Sequence, residues 1–572
     1  MPTLGATGRI RVLFLLVLII GIGLIGKLYL VQVVNGAVYS DEADGQYVRP
    51  NHNLYDRGDI YFTQRTGARV PAATLQSGFS VAINPQRIHD PHAVYSQLSQ
   101  VLAIDEETFI ARATKENDPF EEIATKVSAE TAELIEALGI SGVNTYRQKW
   151  RHYPGDSMAA HSIGFVAQKK EGDQKDAGRY GLEKVYEDVL KRSNSQVHVD
   201  FFAEVFSNVK ETLFSASSPE GDLVTGLEPN VQAFLESQLA DIAGAWNSRS
   251  VGGIVMDPMT GQVLAMGAYP SFNPNDRRDV SQTAVFSNPL VENVHEMGSI
   301  IKPITMAIGL DAGVVTPDTT YTDRGFLELS GYTIRNYDHI GRGVVSMQEV
   351  LNQSLNTGSA FVAAQVGADR FAQKMRTFGL DDKTGIDLPN ETSGLTDNLD
   401  TARDVEVATA SFGQGIAMSP IATTRALAVL ANGGRLVTPY IGTEIVYDDG
   451  QAVSLVPSDE EQVISPAASE SITRMLVTVV DEVLADGAYS RERHSIAAKT
   501  GTAQIPSPDG GYYDDRFLHS FFGYAPAYDP EFLVFFYTVE PKNVRYASET
   551  LTEPFMNTVG YLINYYEVPP DR

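Results

Sequence analysis

Residues 495–502 read Ser-Ile-Ala-Ala-Lys-Thr-Gly-Thr, and apolar runs follow them at 517–523 and 532–539. Small and β-branched residues dominate the first run, and aromatic and aliphatic residues dominate the other two. Both compositions favour strands. A turn with two prolines, at 524–530, separates the second run from the third. These residues predict adjacent antiparallel strands.

A second pair of strands is predicted earlier in the chain. Residues 252–256 and 262–267 are apolar, and the Asp-Pro-Met-Thr-Gly segment between them is typical of a tight hairpin. The pattern from about 298 to 430 is mainly helical, with glycine and proline punctuation. Strands at both ends with helices between them predict an α+β domain over residues 245–572, built as one antiparallel sheet covered by helices.

Three short motifs with reactive side chains occur in order within this domain. Residues 299–302 form S-x-x-K, residues 354–356 form S-x-N, and residues 499–501 form K-T-G. The first motif alone should occur about once by chance in a chain of this length. The ordered set is far more informative, because serine β-lactamases and penicillin-binding proteins carry it.

The S-x-x-K motif places a nucleophile and a base on one helix face. Pro303 favours a helix that begins close to Ser299, since proline is tolerated in the first turn. Ser299 and Lys302 then share a face, and the positive helix end favours alkoxide character on the serine and the neutral form of the lysine. Such a lysine is able to take the serine proton. The alternative is a capping serine beside a solvated lysine, but the neighbours Ile300 and Ile301 favour burial.

The other two motifs supply groups that can hold a substrate. Ser354 and Asn356 lie between two predicted helices, where they are able to relay a proton and hold an amide, although a capped turn would look the same.

K-T-G occurs twice, and the copy at 383–385 follows two aspartates and is typical of a surface loop. We therefore assign the function to 499–501. There Lys499 on an edge strand would attract a carboxylate, and small neighbours would let a peptide backbone approach.

The charge balance and the lack of cysteine exclude several classes of protein. The 572 residues include 72 acidic and 44 basic side chains, which give a net charge of -28 and argue against nucleic acid as a partner. The chain has no cysteine, which excludes disulfide scaffolds, thiolate metal sites and a cysteine nucleophile.

The N-terminus has the pattern of a membrane anchor. Residues 1–40 contain no acidic side chain, and the apolar stretch within them, interrupted by Lys27, exceeds the roughly 20 residues that cross a bilayer. Two arginines precede the stretch and acidic residues follow it. This order predicts a cytoplasmic tail at 1–9, a single transmembrane anchor at 10–34 and an exported body outside the cytoplasmic membrane. A cleaved signal peptide is the alternative, but no convincing cleavage site follows the apolar core.

The motifs make the chain similar to the class B penicillin-binding proteins, which are monofunctional peptidoglycan D,D-transpeptidases. The resemblance runs over essentially the whole length and is also carried by the segments Arg57–Ile60, Tyr153–Gly155, His161–Phe165, Gly181–Glu183, Gly253–Tyr269, Thr384–Pro389, Phe412–Ile416 and Lys499–Gln504. It implies a non-catalytic, dimerisation-like pedestal of mixed α/β structure at 35–244. The catalytic domain at 245–572 would be built on a five-stranded antiparallel sheet.

The resemblance also implies a mechanism. Ser299 would attack the D-Ala-D-Ala carbonyl of a peptidoglycan stem peptide, with Lys302 as the base, Ser354 as a proton relay and Asn356 holding the donor amide. The substrate's terminal carboxylate would be bound by Lys499, Thr500, Gly501 and Thr502. An amine of a neighbouring stem would then take the acyl group, and β-lactam antibiotics would acylate the same serine. No metal and no cofactor is implied.

Partners and alternatives follow from the same resemblance. The family implies a polytopic membrane glycosyltransferase and other cell-wall or division proteins as partners. The residues 411–416 and 521–569 favour a division role over an elongation role.

A D,D-carboxypeptidase or a β-lactamase would use the same motifs with water as the acceptor. A catalytically silent cell-wall scaffold or a β-lactam sensor is the non-enzymatic alternative. The pair Asp514–Asp515 is able to bind a cation but is more typical of an exposed loop.

Overall fold

The computed structural model describes residues 56–116, 118–168, 176–192, 220–276, 283–401, 403–458 and 460–572, and six helical residues of the N-terminal apolar stretch (18, 20, 21, 23, 24 and 27). The predicted cytoplasmic tail, most of the predicted anchor and the start of the predicted pedestal lie outside the described residues. Among the residues that are described, none of the helices combines the length and the apolar composition needed to cross a membrane.

The chain up to residue 225 contributes short strands and helices. Its strands are β1 (Ile60–Thr63), β2 (Arg69–Ile83), β3 (Glu121–Val127), β4 (Val143–His152), β5 (Val166–Gln168), β6 (Asp176–Gly178) and β7 (Gly221–Thr225). Its α-helices are α1 (Pro91–Leu98), α2 (Glu106–Ala113), α3 (Ala129–Ala137), α4 (Ala160–Ile163), α5 (Gly181–Val185) and α6 (Glu187–Leu190).

The remainder of the chain contains longer elements. Its strands are β8 (Ser250–Met256), β9 (Val263–Tyr269), β10 (Thr320–Asp323), β11 (Phe326–Leu329), β12 (Tyr332–Arg335), β13 (Gly343–Ser346), β14 (Arg435–Val437), β15 (Gly442–Tyr447), β16 (Ala452–Ser454), β17 (Glu460–Gln462), β18 (Ala497–Pro506), β19 (Tyr512–Ala525) and β20 (Phe532–Val539). Its α-helices are α7 (Pro229–Trp246), α8 (Pro289–Glu292), α9 (Lys302–Asp311), α10 (Met347–Asn352), α11 (Asn356–Val366), α12 (Ala368–Thr377), α13 (Asp404–Ala410), α14 (Pro420–Ala431), α15 (Pro466–Thr478) and α16 (Ala547–Tyr566).

Several helices begin with a capping side chain followed directly by proline. The side chain accepts a hydrogen bond from a backbone N–H of the first turn, and the fixed φ of proline suits the first helical position. These pairs are Asp90–Pro91, Glu228–Pro229, Asn288–Pro289, Ser419–Pro420 and Ser465–Pro466.

The chain divides into two compact units. Of the described residues, the smaller unit contains those within Leu75–Trp150, and the larger contains those within Arg57–Thr74 and Arg151–Arg572. In the smaller unit the later part of β2 pairs antiparallel with β3, from Phe79 opposite Val127. Helices α1, α2 and α3 close an apolar core there, which includes Val81, Leu98, Phe109 and Ile135.

The larger unit is organised around a five-stranded antiparallel sheet with the strand order β18-β19-β20-β8-β9. The central strand β20 is buried on both faces. Its residues Phe532, Val534 and Phe536 join one apolar cluster, with α7 and α16, while Leu533, Phe535, Tyr537 and Val539 join the other, with α9, α14 and α15. Because side chains of a strand alternate between faces, this pattern needs helices on both sides. The predicted helix-covered antiparallel sheet is confirmed.

The same unit holds a second sheet, in which β16, β15, β7, β1 and the first part of β2 are neighbours. Strand β1 runs parallel to β7 and antiparallel to β2.

The mainly helical pattern expected over 298–430 is interrupted by strands. Two small antiparallel pairs, β10 with β13 and β11 with β12, occupy residues 320–346. The turn between β11 and β12 contains Ser330 and Gly331, with φ of +50° and +84°, which are the left-handed angles of a tight hairpin turn. The alternation of apolar and polar residues in these short segments outweighed the helical pattern around them.

A buried ionic cluster joins distant segments of the larger unit. Glu183 is fully buried and accepts hydrogen bonds from Arg57 Nε at 2.7 Å, from Arg151 Nε at 2.6 Å and from the Tyr153 hydroxyl at 3.2 Å. Both arginines are also buried, and Arg151 Nη1 donates to the carbonyl of Gly58 just before β1. Removing the carboxylate would leave Arg151 with only Asp59, at 3.9 Å, as a counterion, while Arg57 would keep Glu187 at 2.7 Å.

We predict that Glu183→Gln lowers the free energy of unfolding by about 3–5 kcal/mol, the usual cost of breaking a buried ion pair. Burial alone would raise the pKa of Glu183, but Arg151 and Arg57 outweigh burial and lower it below the ordinary 4.5. The carboxylate therefore contributes its full stabilisation above that ordinary value, and the contribution is lost as the pH falls through the lowered pKa. Urea unfolding of the full-length protein at neutral and acidic pH measures both effects.

The matched control is Arg474→Gln, because Arg474 forms an exposed ion pair with Glu470 one helical turn away. Its loss should cost less than about 1 kcal/mol. A Glu183→Gln variant no less stable than this control would contradict the prediction.

Candidate active site

Ser299 lies on a tight turn at the start of a buried helix. Residues Gly298–Ile301 form a 3₁₀ turn that continues into α9, with Pro303 in the first α-helical turn. The helix start expected near Ser299 is confirmed, although the serine itself is on the 3₁₀ turn. Gly298 has a φ of +65°, and a Cβ there would be 2.8 Å from the carbonyl oxygen of Thr502.

Strand β18 approaches this turn so closely that only glycine fits at position 501. A Cβ on Gly501 would be 2.4 Å from Ser520 Oγ and 2.8 Å from the carbonyl oxygen of Met297. Ser520 Oγ, on the neighbouring strand β19, donates a hydrogen bond to the same carbonyl at 2.8 Å. The K-T-G strand and the nucleophile turn are therefore in direct contact.

Lys302 is 1% exposed, and its amine is directed at the second motif. Its Nζ donates to the carbonyl oxygen of Ser354 at 2.5 Å and lies 3.1 Å from Ser354 Oγ. Burial, together with the charge of Lys499, lowers the pKa of Lys302 well below its ordinary 10.5. The neutral amine, which has a free lone pair, is thereby favoured.

Lys499 reaches the same hydroxyl from β18. Its Nζ lies 3.2 Å from Ser354 Oγ and 3.1 Å from the carbonyl oxygen of Thr500, and burial lowers the pKa of Lys499 to about 8. Ser354 has a φ of +54° in the connection between α10 and α11, which is unusual for a residue other than glycine. Because its oxygen accepts from two amines, its own O–H remains able to donate.

Asn356 begins α11, and one of its amide hydrogens is already engaged. Its Nδ2 donates to the carbonyl oxygen of Arg335, at the end of β12, at 2.8 Å. The other N–H and the side-chain oxygen remain to hold an amide of a ligand.

A buried polar cluster holds this part of the site in place. Asp323 accepts from Thr357 Oγ1 at 2.8 Å and from Asn336 Nδ2 at 3.1 Å. Sequence reasoning missed Asp323 and Asn336 because no motif marks them. The only signal was the alternation of the short strands that carry or flank them.

An open cleft of about 1550 Å³ connects these groups. It is lined by six of the residues selected from the sequence, namely Ser299, Ser354, Asn356, Lys499, Thr500 and Thr502. The other two lie just behind them, since Lys302 contacts Ser354 and Gly501 packs against the nucleophile turn. Strand β18 is at the edge of its sheet, so one side of its backbone is available to an extended peptide.

The first K-T-G copy has a structural role. Thr384 is buried, and its N–H and hydroxyl both donate to Glu391 Oε1, at 2.7 and 2.6 Å. Lys383 and Gly385 are exposed, as expected for a surface loop.

One other sequence interpretation is revised by the structure. Asp514 and Asp515 lie on strand β19, not in a loop, although both are exposed and line the cleft. His295 lies four residues before Ser299 and is partly buried, and burial lowers its pKa to about 4, so it stays neutral at physiological pH. Across the described ranges, no group of three or more His, Asp or Glu side chains is placed to hold a metal ion.

Family models match both parts of the chain. The model described as penicillin binding protein transpeptidase domain matches residues 251–560, and the model described as penicillin-binding protein dimerisation domain matches residues 55–223.

Curated relatives and solved structures resemble the chain over most of its length. Stage V sporulation protein D of Bacillus subtilis is 30% identical, over 97% of this chain and 85% of its own length. Peptidoglycan D,D-transpeptidase FtsI of Escherichia coli K12 is 25% identical, over 96% and 90% respectively. A crystal structure of penicillin binding protein 3 from Mycobacterium tuberculosis, complexed with aztreonam, shares the fold with a TM-score of 0.68 at 23% identity, over 91% of this chain and 98% of that one.

The transpeptidase model alone spans more than half of the chain, and the cleft carries all three motifs in contact with one another. The protein therefore belongs to the class B penicillin-binding proteins, the monofunctional peptidoglycan D,D-transpeptidases.

Proposed function

We propose that this chain cross-links peptidoglycan stem peptides through an acyl-enzyme on Ser299. As a member of its family it is a serine D,D-transpeptidase and a target of β-lactams. The observation that carries the residue assignment is the convergence of two buried amines, from Lys302 and Lys499, on the Ser354 hydroxyl in the cleft that Ser299 lines.

In the acylation step Ser299 Oγ attacks the carbonyl carbon of the penultimate D-alanine. Its proton passes to the neutral amine of Lys302, whose hydrogens are already donated to the carbonyl and hydroxyl of Ser354. That arrangement leaves the lone pair of the amine for the incoming proton. The backbone N–H groups of Ser299 and Thr502 would stabilise the oxyanion, at typically 10²–10³ in rate for each donor.

The leaving group needs a proton when the peptide bond breaks. Ser354 is suited to give it, because its oxygen accepts from both lysines and its own hydrogen is free. The terminal D-alanine departs as a neutral amine, and Ser354 recovers its proton from Lys302. The proton first taken from Ser299 is thus delivered to the leaving amine.

The donor peptide is held from both walls of the cleft. Its terminal carboxylate would be bound by Lys499, Thr500 and Thr502, with Gly501 allowing the close approach, and its amide would be held by Asn356. Deacylation by an amine of a second stem forms the new amide bond and restores Ser299.

Two alternatives differ from this proposal in the acceptor or in activity. A D,D-carboxypeptidase or a β-lactamase would resolve the same acyl-enzyme with water, and a silent scaffold or sensor would not turn over. The family membership favours a transpeptidase over all of these.

The organisation of the chain is part of the proposal. We infer a cytoplasmic tail at 1–9, a single-pass anchor at 10–34 in the cytoplasmic membrane, a pedestal at 35–244 and a transpeptidase domain at 245–572 outside it. The family-model matches at 55–223 and 251–560 support the last two. A polytopic glycosyltransferase and division proteins are the partners we infer, and the resemblance at residues 411–416 and 521–569 favours a septal role.

The first prediction concerns the acyl-enzyme. Full-length protein incubated with fluorescent penicillin should carry a long-lived label on Ser299, identified by peptide mass spectrometry, and Ser299→Ala should carry none. Lys302→Gln should lower the rate of labelling by at least about 10²-fold, since it removes the base but not the nucleophile.

Ser393→Ala is the matched control for the labelling, because Ser393 lies outside the cleft. It should label at the wild-type rate. Rapid loss of the label would indicate a β-lactamase. Failure of the folded wild-type protein to label would contradict the proposed catalysis and favour the scaffold.

The second prediction concerns pH. The rate constant for acylation by penicillin should rise as Lys302 loses its proton, at a pH well below its ordinary pKa of 10.5. It should fall again as the pH rises through about 8, because Lys499 then loses the charge that attracts the carboxylate.

Lys499→Arg separates the two limbs, because guanidinium stays charged over the whole accessible range. Its rate constant is expected to be lower overall but to show no fall near pH 8. A decline at the same pH in both proteins would mean that another group controls the descending limb.

A further inference from the structure

Helix α14 carries one charged side chain in a wholly buried setting. All twelve of its residues, Pro420–Ala431, are buried, and Arg425 in the middle is 6% exposed. Burial lowers the pKa of Arg425 below its ordinary 12.5, although the charges of three acidic side chains oppose that shift. Because guanidinium is not deprotonated in proteins, α14 holds a permanent positive charge out of contact with bulk water.

The pairing of this charge differs from that of the other buried arginines. Arg57 and Arg151 are buried to a similar degree, at 3% and 5% exposed, and both form ion pairs with Glu183. In the part of the chain that the structure describes, no carboxylate oxygen lies within 4.0 Å of the Arg425 guanidinium. Arg425 is therefore a buried cation without a counterion from the described chain.

Backbone carbonyls hold the guanidinium instead. Nη2 of Arg425 donates to the carbonyl oxygen of Gly379 at 2.6 Å, and Nη1 donates to that of Lys383 at 3.4 Å. The buried Nε donates to no described group. Gly379 has a φ of +68°, and a Cβ there would be 2.2 Å from Nη2, so glycine is required for this approach. Three of the five N–H groups remain able to donate.

The acidic side chains whose charge reaches Arg425 are engaged elsewhere or face water. Asp381 pairs with Arg376 at 3.4 Å. Glu391 accepts from two backbone N–H groups, at 2.7 and 3.1 Å. Asp382, the third, is exposed. None of them takes the place of a bound counterion.

Arg425 lines a surface pocket of about 810 Å³ between α12, the loop after it, α14 and the strand pair β14–β17. None of the residues that line this pocket lines the active-site cleft. Its exposed lining residues include Lys383, from the first K-T-G copy, and two acids, Asp382 and Glu461, which we call the acidic rim. None of these three forms an ion pair within the described ranges, whereas Arg376, which also lines the pocket, pairs with two aspartates.

We propose that this pocket binds a small zwitterion, an amino acid or a short peptide, with its carboxylate on Arg425 and its ammonium group at the acidic rim. A buried charge without a counterion is costly, and a bound carboxylate supplies one. Guanidinium suits that role because it binds a carboxylate through two parallel hydrogen bonds. Asp382 and Glu461 disfavour a ligand that carries only negative charge. The site does not depend on the proposed acyl transfer.

The test is saturation-transfer NMR of L-alanine and of acetate with the full-length protein in detergent. L-alanine carries both charges of the proposed ligand, whereas acetate carries only the carboxylate. Saturation of the protein should pass to the methyl group of L-alanine, and a titration gives its Kd. L-alanine should bind at least about threefold more tightly than acetate, which is the gain expected from an exposed ion pair at the rim.

Arg425→Gln should weaken the binding of L-alanine at least about tenfold, because it removes a charge-assisted pair. Arg435→Gln is the matched control, since Arg435 lies beside the pocket on β14 and pairs with Glu460 at 2.8 Å. It should leave the Kd unchanged. Circular dichroism melting shows whether each variant is folded.

The rim is tested by the double variant Asp382→Asn, Glu461→Gln, which alters only exposed side chains and keeps the test informative if Arg425→Gln does not fold. Its affinity for L-alanine should fall to the affinity for acetate. No transfer to L-alanine in the wild type, transfer that survives Arg425→Gln, or an L-alanine Kd unchanged by the rim substitutions would each overturn the site. The penicillin labelling of Ser299 is measured separately, so failure of the pocket leaves the proposed function in place.

Discussion

The active site depends on two backbone segments that approach so closely that no side chain fits between them. Strand β18 and the turn that carries Ser299 approach until the backbone at Gly501 meets the carbonyl of Met297, and Ser520 bonds to that same carbonyl. This contact fixes the nucleophile against the strand that presents Lys499. The five-stranded sheet makes it possible, because helices on both faces hold β19 and β20 rigid behind β18.

Much of this arrangement was predictable from the sequence. The strands at 495–539, the hairpin around 257–261 and the helix start at Pro303 all follow local rules for glycine, proline and apolar patterning, and each was found as expected. The choice between the two K-T-G copies also rested on local context. The site residues that the sequence did not indicate act on partners that are distant in the chain. Asp323 and Asn336 support the S-x-N motif from strands 20 to 35 residues away, and no local pattern indicates which loop returns to which helix.

The pedestal side of the larger unit shows a different balance of forces. There a single buried carboxylate, Glu183, organises two arginines and a tyrosine from two separate stretches of chain. A buried ion cluster of this kind adds little net stability, because desolvation offsets attraction, but any substitution of one member is costly. Such a cluster favours one pairing of segments over others that are equally apolar. The catalytic side uses packing for the same purpose, and among the described residues no carboxylate is bonded to its buried lysines, Lys302 and Lys499.

The two buried lysines have a consequence for the protein as a whole. Lys302 and Lys499 are amines held near each other in a site that disfavours their charge, and no carboxylate among the described residues is bonded to either. Electrostatic repulsion and desolvation of these amines are therefore greatest in the empty enzyme. An anion that binds there offsets the positive charge of the amines. Substrates and inhibitors are therefore expected to raise the free energy of unfolding when they bind. The same two buried lysines thus make the site reactive and lower the stability of the folded protein. Substitutions that stabilise the fold by removing them would lower the activity.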